Sequence, residues 1–281
     1  MQIVRTVSEL RAWSRGIRCA PGQTVGLVPT MGSLHDGHAS LIRTARAGCS
    51  HVAVSLFVNP TQFGPGEDFA RYPRAFEADR ALAEREGADV LFAPAVEEMY
   101  PEGAATIVEV EGLSERLDGA SRPGHFRGVA TVVAKLLIGA EPDFAFFGQK
   151  DAAQVSMLRR MATDLRMATE IVVRPIVRDA DGLALSSRNA YLSASERKQA
   201  LVLSRALRRV EELVAQGERR ADALIDAARK VFAAEPEVRI DRIDLVNWAT
   251  LEPVEMATAG SLFAVAAWVG KTRLIDNTIL Q

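Results

Sequence analysis

Five apolar runs, each next to a stretch of helical period, constrain this chain more than any other feature. Thr24-Val-Gly-Leu-Val28, His51 to Val58, Ala88 to Ala93, Asp143-Phe-Ala-Phe-Phe147 and Glu170-Ile-Val-Val-Arg174 are short and continuously apolar at their centres. Such runs read as strands covered on both faces. Between them lie Ala39 to Ala47, Pro73 to Gly87, Val129 to Ile138 and Ala152 to Ala162, with apolar residues at helical spacing. Parallel strands need long crossovers, and helices of this length supply them with one hand. The pattern predicts an α/β fold built on a doubly wound parallel sheet, with Ile3-Val4 as a short edge element and Thr106 to Val110 as a further strand. Ligands belong at the carboxyl edge of such a sheet.

The texture changes after Pro175. Ser193-Ala-Ser-Glu196 has the capping-box form, as does Thr6-Val-Ser-Glu9 near the start, and it opens a helix through about Ala215. A second helix near Ala221 to Phe232 and strand-like runs at Ile243 to Val246, Leu262 to Trp268 and Thr272 to Asp276 follow. Two domains are expected: residues 1–174 carrying the parallel sheet, and residues 175–281 forming a smaller α+β domain.

With 34 basic against 36 acidic residues the net charge is −2, which gives no electrostatic reason to expect nucleic acid or an anionic membrane as partner. Any anion site must be local. Cys19 and Cys49 are too few for a disulfide framework, and no Cys/His cluster points to zinc. The first residues lack the apolar core of a signal peptide and no apolar run approaches membrane-spanning length, so the expected location is the cytoplasm.

Chemistry concentrates where strands end. Val28-Pro-Thr-Met31-Gly32-Ser33-Leu34-His35-Asp36-Gly37-His38 joins a strand to a helix start, where unpaired N–H groups and the helix dipole favour an anion such as phosphate. His35 and His38 are three apart and share one helix face there. The bland alternative is a histidine cap and ordinary turn glycines. The stretch matches neither the Gly-x4-Gly-Lys phosphate loop nor the Gly-x-Gly-x-x-Gly fingerprint. The strand ending at Val58 breaks into Asn59-Pro-Thr-Gln62-Phe-Gly64, where Gln62 offers both donors and an acceptor. Arg122, His125 and Arg127 form a basic loop able to face an anion, although such residues are more often simply solvated. Gly148-Gln149-Lys150-Asp151 is a second strand-to-helix turn: Lys150 supplies a mobile positive charge, Asp151 a cap or a hold on hydrated Mg²⁺, and Gln154 lies near the helix start. Ser186, Ser187 and Arg188, in the polar stretch Arg178 to Asn189, suit a phosphate.

The His-x-Gly-His pattern resembles the nucleotide-binding signature of the adenylyl-transferring Rossmann-like superfamily that includes class I aminoacyl-tRNA synthetases. The ordered blocks Pro29 to His38, Phe57-Val-Asn-Pro-Thr-Gln-Phe63, Arg71-Tyr-Pro-Arg74, Gly124-His-Phe-Arg-Gly128, Phe147-Gly-Gln-Lys-Asp151 and Asp181 to Asn189 resemble the pantoate–beta-alanine ligase (pantothenate synthetase) family more narrowly. Two positions depart from it: Gln149 stands where the family usually has Glu, and Ala153 where a Gln often precedes the residue matching Gln154. The resemblance implies a Rossmann-like ligase that activates pantoate with MgATP as pantoyl adenylate and then transfers the acyl group to beta-alanine, releasing AMP. It implies an ATP site at Met31, Gly32, Ser33, Leu34, His35, Asp36, Gly37, His38, Gly148, Gln149, Lys150, Asp151, Val177, Leu185, Ser186, Ser187 and Arg188. It further implies pantoate held by Gln62 and Gln154, His38 as the assigned proton donor with His35 and Lys150 beside the chemistry, closure of the smaller domain as a lid, and a homodimer. It leaves the metal ligands and the beta-alanine contacts open. The rival readings are another adenylyltransferase carrying the same His-x-Gly-His loop and an idle nucleotide-binding regulatory module.

Overall fold

The computed structural model describes all residues from Met1 to Gln281. Its larger sheet contains β1 (Gln2–Val4), β2 (Val25–Thr30), β3 (His51–Leu56), β4 (Val90–Phe92), β5 (Phe144–Gly148) and β6 (Glu170–Arg174), in the spatial order β1-β4-β3-β2-β5-β6. Every pairing is parallel. Helices α1 (Val7–Arg18), α2 (Asp36–Gly48), α3 (Phe76–Arg85), α4 (Val96–Met99), α5 (Asp118–Ser121), α6 (His125–Ala140) and α7 (Ala152–Asp164) connect the strands. Val28, Leu41, Ile42, Ala45, Val54, Leu91 and Phe146 form one of the buried layers. Helix α6 is apolar nearly all round and correspondingly buried. β3, β4 and β1 lie to one side of β2, and β5 and β6 to the other. Chain order therefore reverses beside β2, which is where open α/β sheets bind ligands.

A second sheet is antiparallel, β7 (Val238–Asn247), β8 (Ser261–Val269) and β9 (Thr272–Ile279) in that order, with α8 (Ala194–Ala215) and α9 (Ala221–Phe232) against it. Leu203, Leu207, Val210, Leu224, Phe263 and Val265 are among its core residues. Both expected capping boxes form, at Thr6/Glu9 and Ser193/Glu196. No helix is long and apolar enough to cross a membrane.

Four expectations need correction. Thr106 to Val110 pairs with no strand; the Val108 amide and carbonyl bond instead to Thr131 Oγ1 on α6, at 2.9 and 3.3 Å. Helix α6 starts at His125, earlier than the apolar run suggests, because Gly124 takes a left-handed N-cap conformation (φ 80°) that needs no side-chain cap. Strand β7 starts five residues before Ile243, its alternation masked by charged residues and a register break between Ile240 and Arg242. Finally, the chain divides into two compact units, Met1–Gly148 with Met157–Arg174, and Gln149–Ser156 with Pro175–Gln281. Gln149–Ser156 thus belongs with the second unit rather than with residues 1–174. Asn277 Nδ2 donates to the carbonyls of Gln149 and Lys150, Trp248 Nε1 donates to the Ala152 carbonyl, and Ser156 Oγ donates to the Trp248 carbonyl.

Candidate active site

In the first unit the chain leaves β2 at Thr30, whose hydroxyl donates to the Ser55 carbonyl at 2.6 Å and accepts from the Gly32 amide at 3.2 Å. Gly32 and Ser33 then both adopt positive φ, 86° and 51°, turning the chain sharply towards α2. For serine this conformation costs roughly 1–2 kcal/mol. The turn is held by Asp79 from α3, which is only 4% exposed. Its Oδ2 accepts the Ser33 amide at 2.8 Å and its Oδ1 the Leu34 amide at 2.7 Å. Two amides of the loop therefore point at a carboxylate of the protein itself, and the anion expected there does not receive them. Burial pushes the Asp79 carboxyl up, while the Leu34 and Ser33 amides pull it down.

The histidines cap α2. His35 is the N-cap, its Nδ1 accepting the Gly37 amide at 3.2 Å; three residues on, His38 Nδ1 accepts the His35 amide at 3.3 Å. This is a capping box in which imidazoles replace the usual hydroxyl and carboxylate. A backbone N–H can only donate, so each Nδ1 is a lone-pair acceptor and the ring proton sits on Nε2. The ring centroids are 4.2 Å apart, with 41° between the planes. Both rings thus cap the helix through Nδ1 and carry their proton on the opposite nitrogen. Asp36 lies exposed in the first turn of α2.

Gln62, 8% exposed, sits in the single turn Pro60–Gln62 after β3. Its Oε1 accepts from Asn59 Nδ2 at 3.1 Å, which directs Nε2 to the Met31 sulfur at 2.8 Å. Thioether sulfur is a weak acceptor, so a ligand carboxylate or hydroxyl would take that donor in preference. Asn59 is itself fixed, its Oδ1 accepting from Tyr100 Oη at 2.8 Å and Thr61 Oγ1 at 3.0 Å, and its Nδ2 donating also to the Gly128 carbonyl at 3.1 Å.

In the basic loop Arg122 and His125 are engaged within the protein. Arg122 grips Glu67 through Nε at 2.8 Å and Nη2 at 2.6 Å. Its Nη1 donates to His125 Nε2 at 2.9 Å, and His125 Nδ1 donates to the Gln62 carbonyl at 2.8 Å. Burial, then the adjacent Arg122 charge, hold His125 neutral with a pKa of about 4. Burial alone would raise Glu67, but the Arg122 clasp outweighs it and lowers the carboxyl to about 2. These residues fasten the loop that carries Gln62, and only Arg127 is exposed.

In the second unit Gln149–Asp151 is a single 3-10 turn leading into α7, where Gln154 is half-buried. Lys150 Nζ lies 3.9 Å from Asp151 Oδ1. Val177 and Leu185 face each other across a small hairpin, the Leu185 amide donating to the Val177 carbonyl at 3.0 Å, with a bridge between Arg178 and Ala184. Ser186 then caps the turn Ser187–Tyr191, its Oγ accepting the Arg188 amide at 3.3 Å. Asp179 and Asp181 pair with Arg197, fixing the hairpin to α8. Arg178 makes a bidentate pair with Asp276 Oδ2 and Oδ1 at 2.6 and 2.9 Å.

The first unit thus carries Met31 with Gln62 and His35 with His38, and the second carries Gln149, Lys150, Asp151, Gln154 and the Val177 to Arg188 hairpin. Sequence reading missed Asp79, Asn59, Tyr100, Asp276 and Asn277, all of which act through backbone or side-chain groups of the motif segments. The one available signal was chemical: Asp276-Asn277 puts two consecutive polar residues after the apolar pair Leu274-Ile275 of a strand-like run.

Residues 2–279 match the family model described as Pantoate-beta-alanine ligase. The chain is 59% identical to the pantothenate synthetase of Acidobacterium capsulatum over 290 aligned positions, covering 100% of this chain and 97% of that protein. It is 53% identical to that of Heliobacterium modesticaldum, with complete coverage of both. The crystal structure of pantothenate synthetase from Thermus thermophilus superposes with a TM-score of 0.93 at 50% identity, covering 99% of each chain. That of the Francisella tularensis pantoate-beta-alanine ligase, complexed with beta-gamma ATP and beta-alanine, gives 0.81 at 31% identity, covering 99% and 97%.

Proposed function

The chain belongs to the pantoate–beta-alanine ligase family, and from that premise we propose that it joins (R)-pantoate to beta-alanine through a pantoyl adenylate, releasing AMP and pyrophosphate. In the first half-reaction a carboxylate oxygen attacks the α-phosphorus and the bond to pyrophosphate breaks. Two anions must be brought together, so catalysis consists mainly of positioning and of dispersing charge on the leaving group. In the second, the neutral amine of beta-alanine attacks the acyl carbon, the bond to AMP breaks, and the ammonium proton passes to solvent or base.

The observation that carries this reading is the imidazole capping box of His35 and His38 at the start of α2. Gln62 Nε2, presented at Met31, is the donor we assign to pantoate, with Gln154 as the second amide. His35 and His38 present Nε2–H to the phosphates. A neutral imidazole that gave up its remaining proton would become an imidazolate, so the geometry favours hydrogen-bond donation by His38 to developing charge over full proton transfer. Lys150, Ser186, Ser187 and Arg188 are assigned to the nucleotide, with Gly148, Gln149, Val177 and Leu185 lining it. No three His, Cys, Asp or Glu side chains gather as a metal cage; a Mg²⁺ arriving on the nucleotide needs only one or two carboxylates, which half-exposed Asp151 fits, and it would neutralise phosphate charge.

We further propose that the enzyme acts in the cytoplasm, where ATP is supplied, and that it is a homodimer, supported by the stretch 106–110, which pairs with no strand and leaves Ile107 57% exposed. A monomer mass by light scattering would remove the dimer. For the reaction, incubation with ATP, pantoate and beta-alanine should release AMP only when all three are present. His38→Ala should slow adenylation on the order of 10²-fold. ATP binding without turnover by folded protein would overturn the assignment.

A further inference from the structure

Strand β9 carries two neighbouring polar residues that are both buried, Asp276 at 3% and Asn277 at 4% exposure. Successive side chains of a strand leave on opposite faces, and these two reach different parts of the second unit. Asp276 takes the bidentate pair from Arg178, which also donates to the Gly182 carbonyl at 3.2 Å and so anchors the hairpin leading to Ser186, Ser187 and Arg188. Asn277 Nδ2 donates to two successive carbonyls, those of Gln149 at 3.0 Å and Lys150 at 2.9 Å. The ring is closed by Gln149, whose Nε2 donates to Asn277 Oδ1 at 3.2 Å, and by the Asn277 amide, which donates to Asp276 Oδ1 at 2.8 Å.

We propose that Asp276 and Asn277 are positioning residues that fix the turn carrying Lys150 and the hairpin carrying Ser186 to Arg188 in one register for the nucleotide. The inference rests on the function proposed above. Lysine has a long flexible stem, and its ammonium is placed only as well as the peptide units it leaves from. Holding the carbonyls of the peptide units before and after Lys150 sets those peptide planes. Buried polar groups are tolerated when satisfied, and Asn277 uses both ends of its amide here. Burial pushes the Asp276 carboxyl up, against which Arg178, then the Asn277 backbone amide and last the Lys150 charge pull it down.

The arrangement also gives Gln149 a use. A glutamate at that position has no proton to give at neutral pH and could not donate to Asn277 Oδ1. In this chain the departure from the family residue completes the clasp instead of removing a reacting carboxylate.

The test is Asn277→Asp, which keeps the shape but sets a carboxylate against two carbonyl oxygens. Single-turnover AMP formation should show kcat/KM for ATP reduced about 10–100-fold, with KM for beta-alanine changed less than about two-fold. In a Lys150→Met background the same substitution should have an effect of less than about three-fold, since the group it positions is gone. Equal loss in both backgrounds, or unchanged kcat/KM for ATP, overturns the proposal. If Asn277→Asp does not fold, Gln149→Glu removes only the donation to Asn277; it should give a several-fold loss that vanishes in the Lys150→Met background, and wild-type kinetics or an undiminished loss there overturns the clasp. Wild-type turnover with an uncoupled variant refutes the clasp alone, whereas no wild-type turnover refutes the function on which it rests.

Discussion

Replacing Asp79 by Asn isolates what holds the His-x-Gly-His loop. The wild-type carboxylate accepts one backbone N–H on each oxygen, from Ser33 and Leu34. An amide of the same shape keeps one acceptor and turns its NH₂ at the other N–H, so one bond is lost and one buried donor is left facing another donor. Each such orphan costs about 1–3 kcal/mol. The left-handed Ser33, at φ 51°, holds roughly 1–2 kcal/mol of strain that the bonds offset. The substitution removes most of that margin, and the loop opens locally. Global stability should change less than the loop does, because Asn also relieves the burial that pushes the Asp79 carboxyl up. The expected result is kcat/KM for ATP lowered about 10-fold, faster hydrogen exchange at the Ser33 and Leu34 amides, and an unfolding free energy within about 1–2 kcal/mol of wild type. Unchanged exchange at these two amides together with full activity would refute the reasoning.

Gly128→Ala places a Cβ against the Thr61 carbonyl and 2.7 Å from Gln62 Cα, both backbone. It should cost roughly 1–3 kcal/mol in urea unfolding and raise KM for pantoate more than KM for ATP; a neutral effect would mean that the Gln62 loop is loosely held. Ser14 is fully buried with an unpartnered hydroxyl, so Ser14→Ala should stabilise the fold by about 1 kcal/mol, and a lowered urea midpoint contradicts this. Acid should loosen the Gln62 loop. His125 has a folded pKa of about 4 against an ordinary 6.5, so the unfolded chain takes the proton first and stability is lost as pH falls from about 6.5 to 4, by at most about 3 kcal/mol. Glu67, at about 2 against 4.5, adds a further loss below pH 4.5. An NMR titration of His125 with a midpoint near 6.5 would contradict the first of these.

The strands and long helices were legible because burial imposes its period locally, as at His51 to Val58 and in the capping boxes at Thr6 and Ser193. Thr106 to Val110 misled because a strand also needs a neighbour with free edge groups, and pairing is not local information. Val108 finds a threonine hydroxyl instead. Asp79 lies between Ala78 and Arg80 in a helix whose other charges face solvent, and nothing in that pattern says that the turn at Gly32 and Ser33 will cover it. The histidine pair at the helix start was readable, but its tautomers were not, since they follow from which backbone N–H each ring accepts. Reading the last strand only as far as Asp276 stopped one residue short of the side chain that holds Gln149 and Lys150.

A common logic joins the residues that were missed. Asp79 takes the amides of Ser33 and Leu34, Asn59 directs the Gln62 side chain, and Asn277 takes the carbonyls of Gln149 and Lys150. In each case a buried polar side chain, remote in sequence or set back in the loop, satisfies groups of a segment whose conformation no regular element supplies. Turns that carry reactive side chains cannot satisfy their own backbone and still present those side chains outward. Buried N–H and C=O groups must nevertheless be paired. The geometry of the motif segments is thus set by these partners. Transplanting the motifs without Asp79 and Asn277 would carry over their side chains and lose the arrangement.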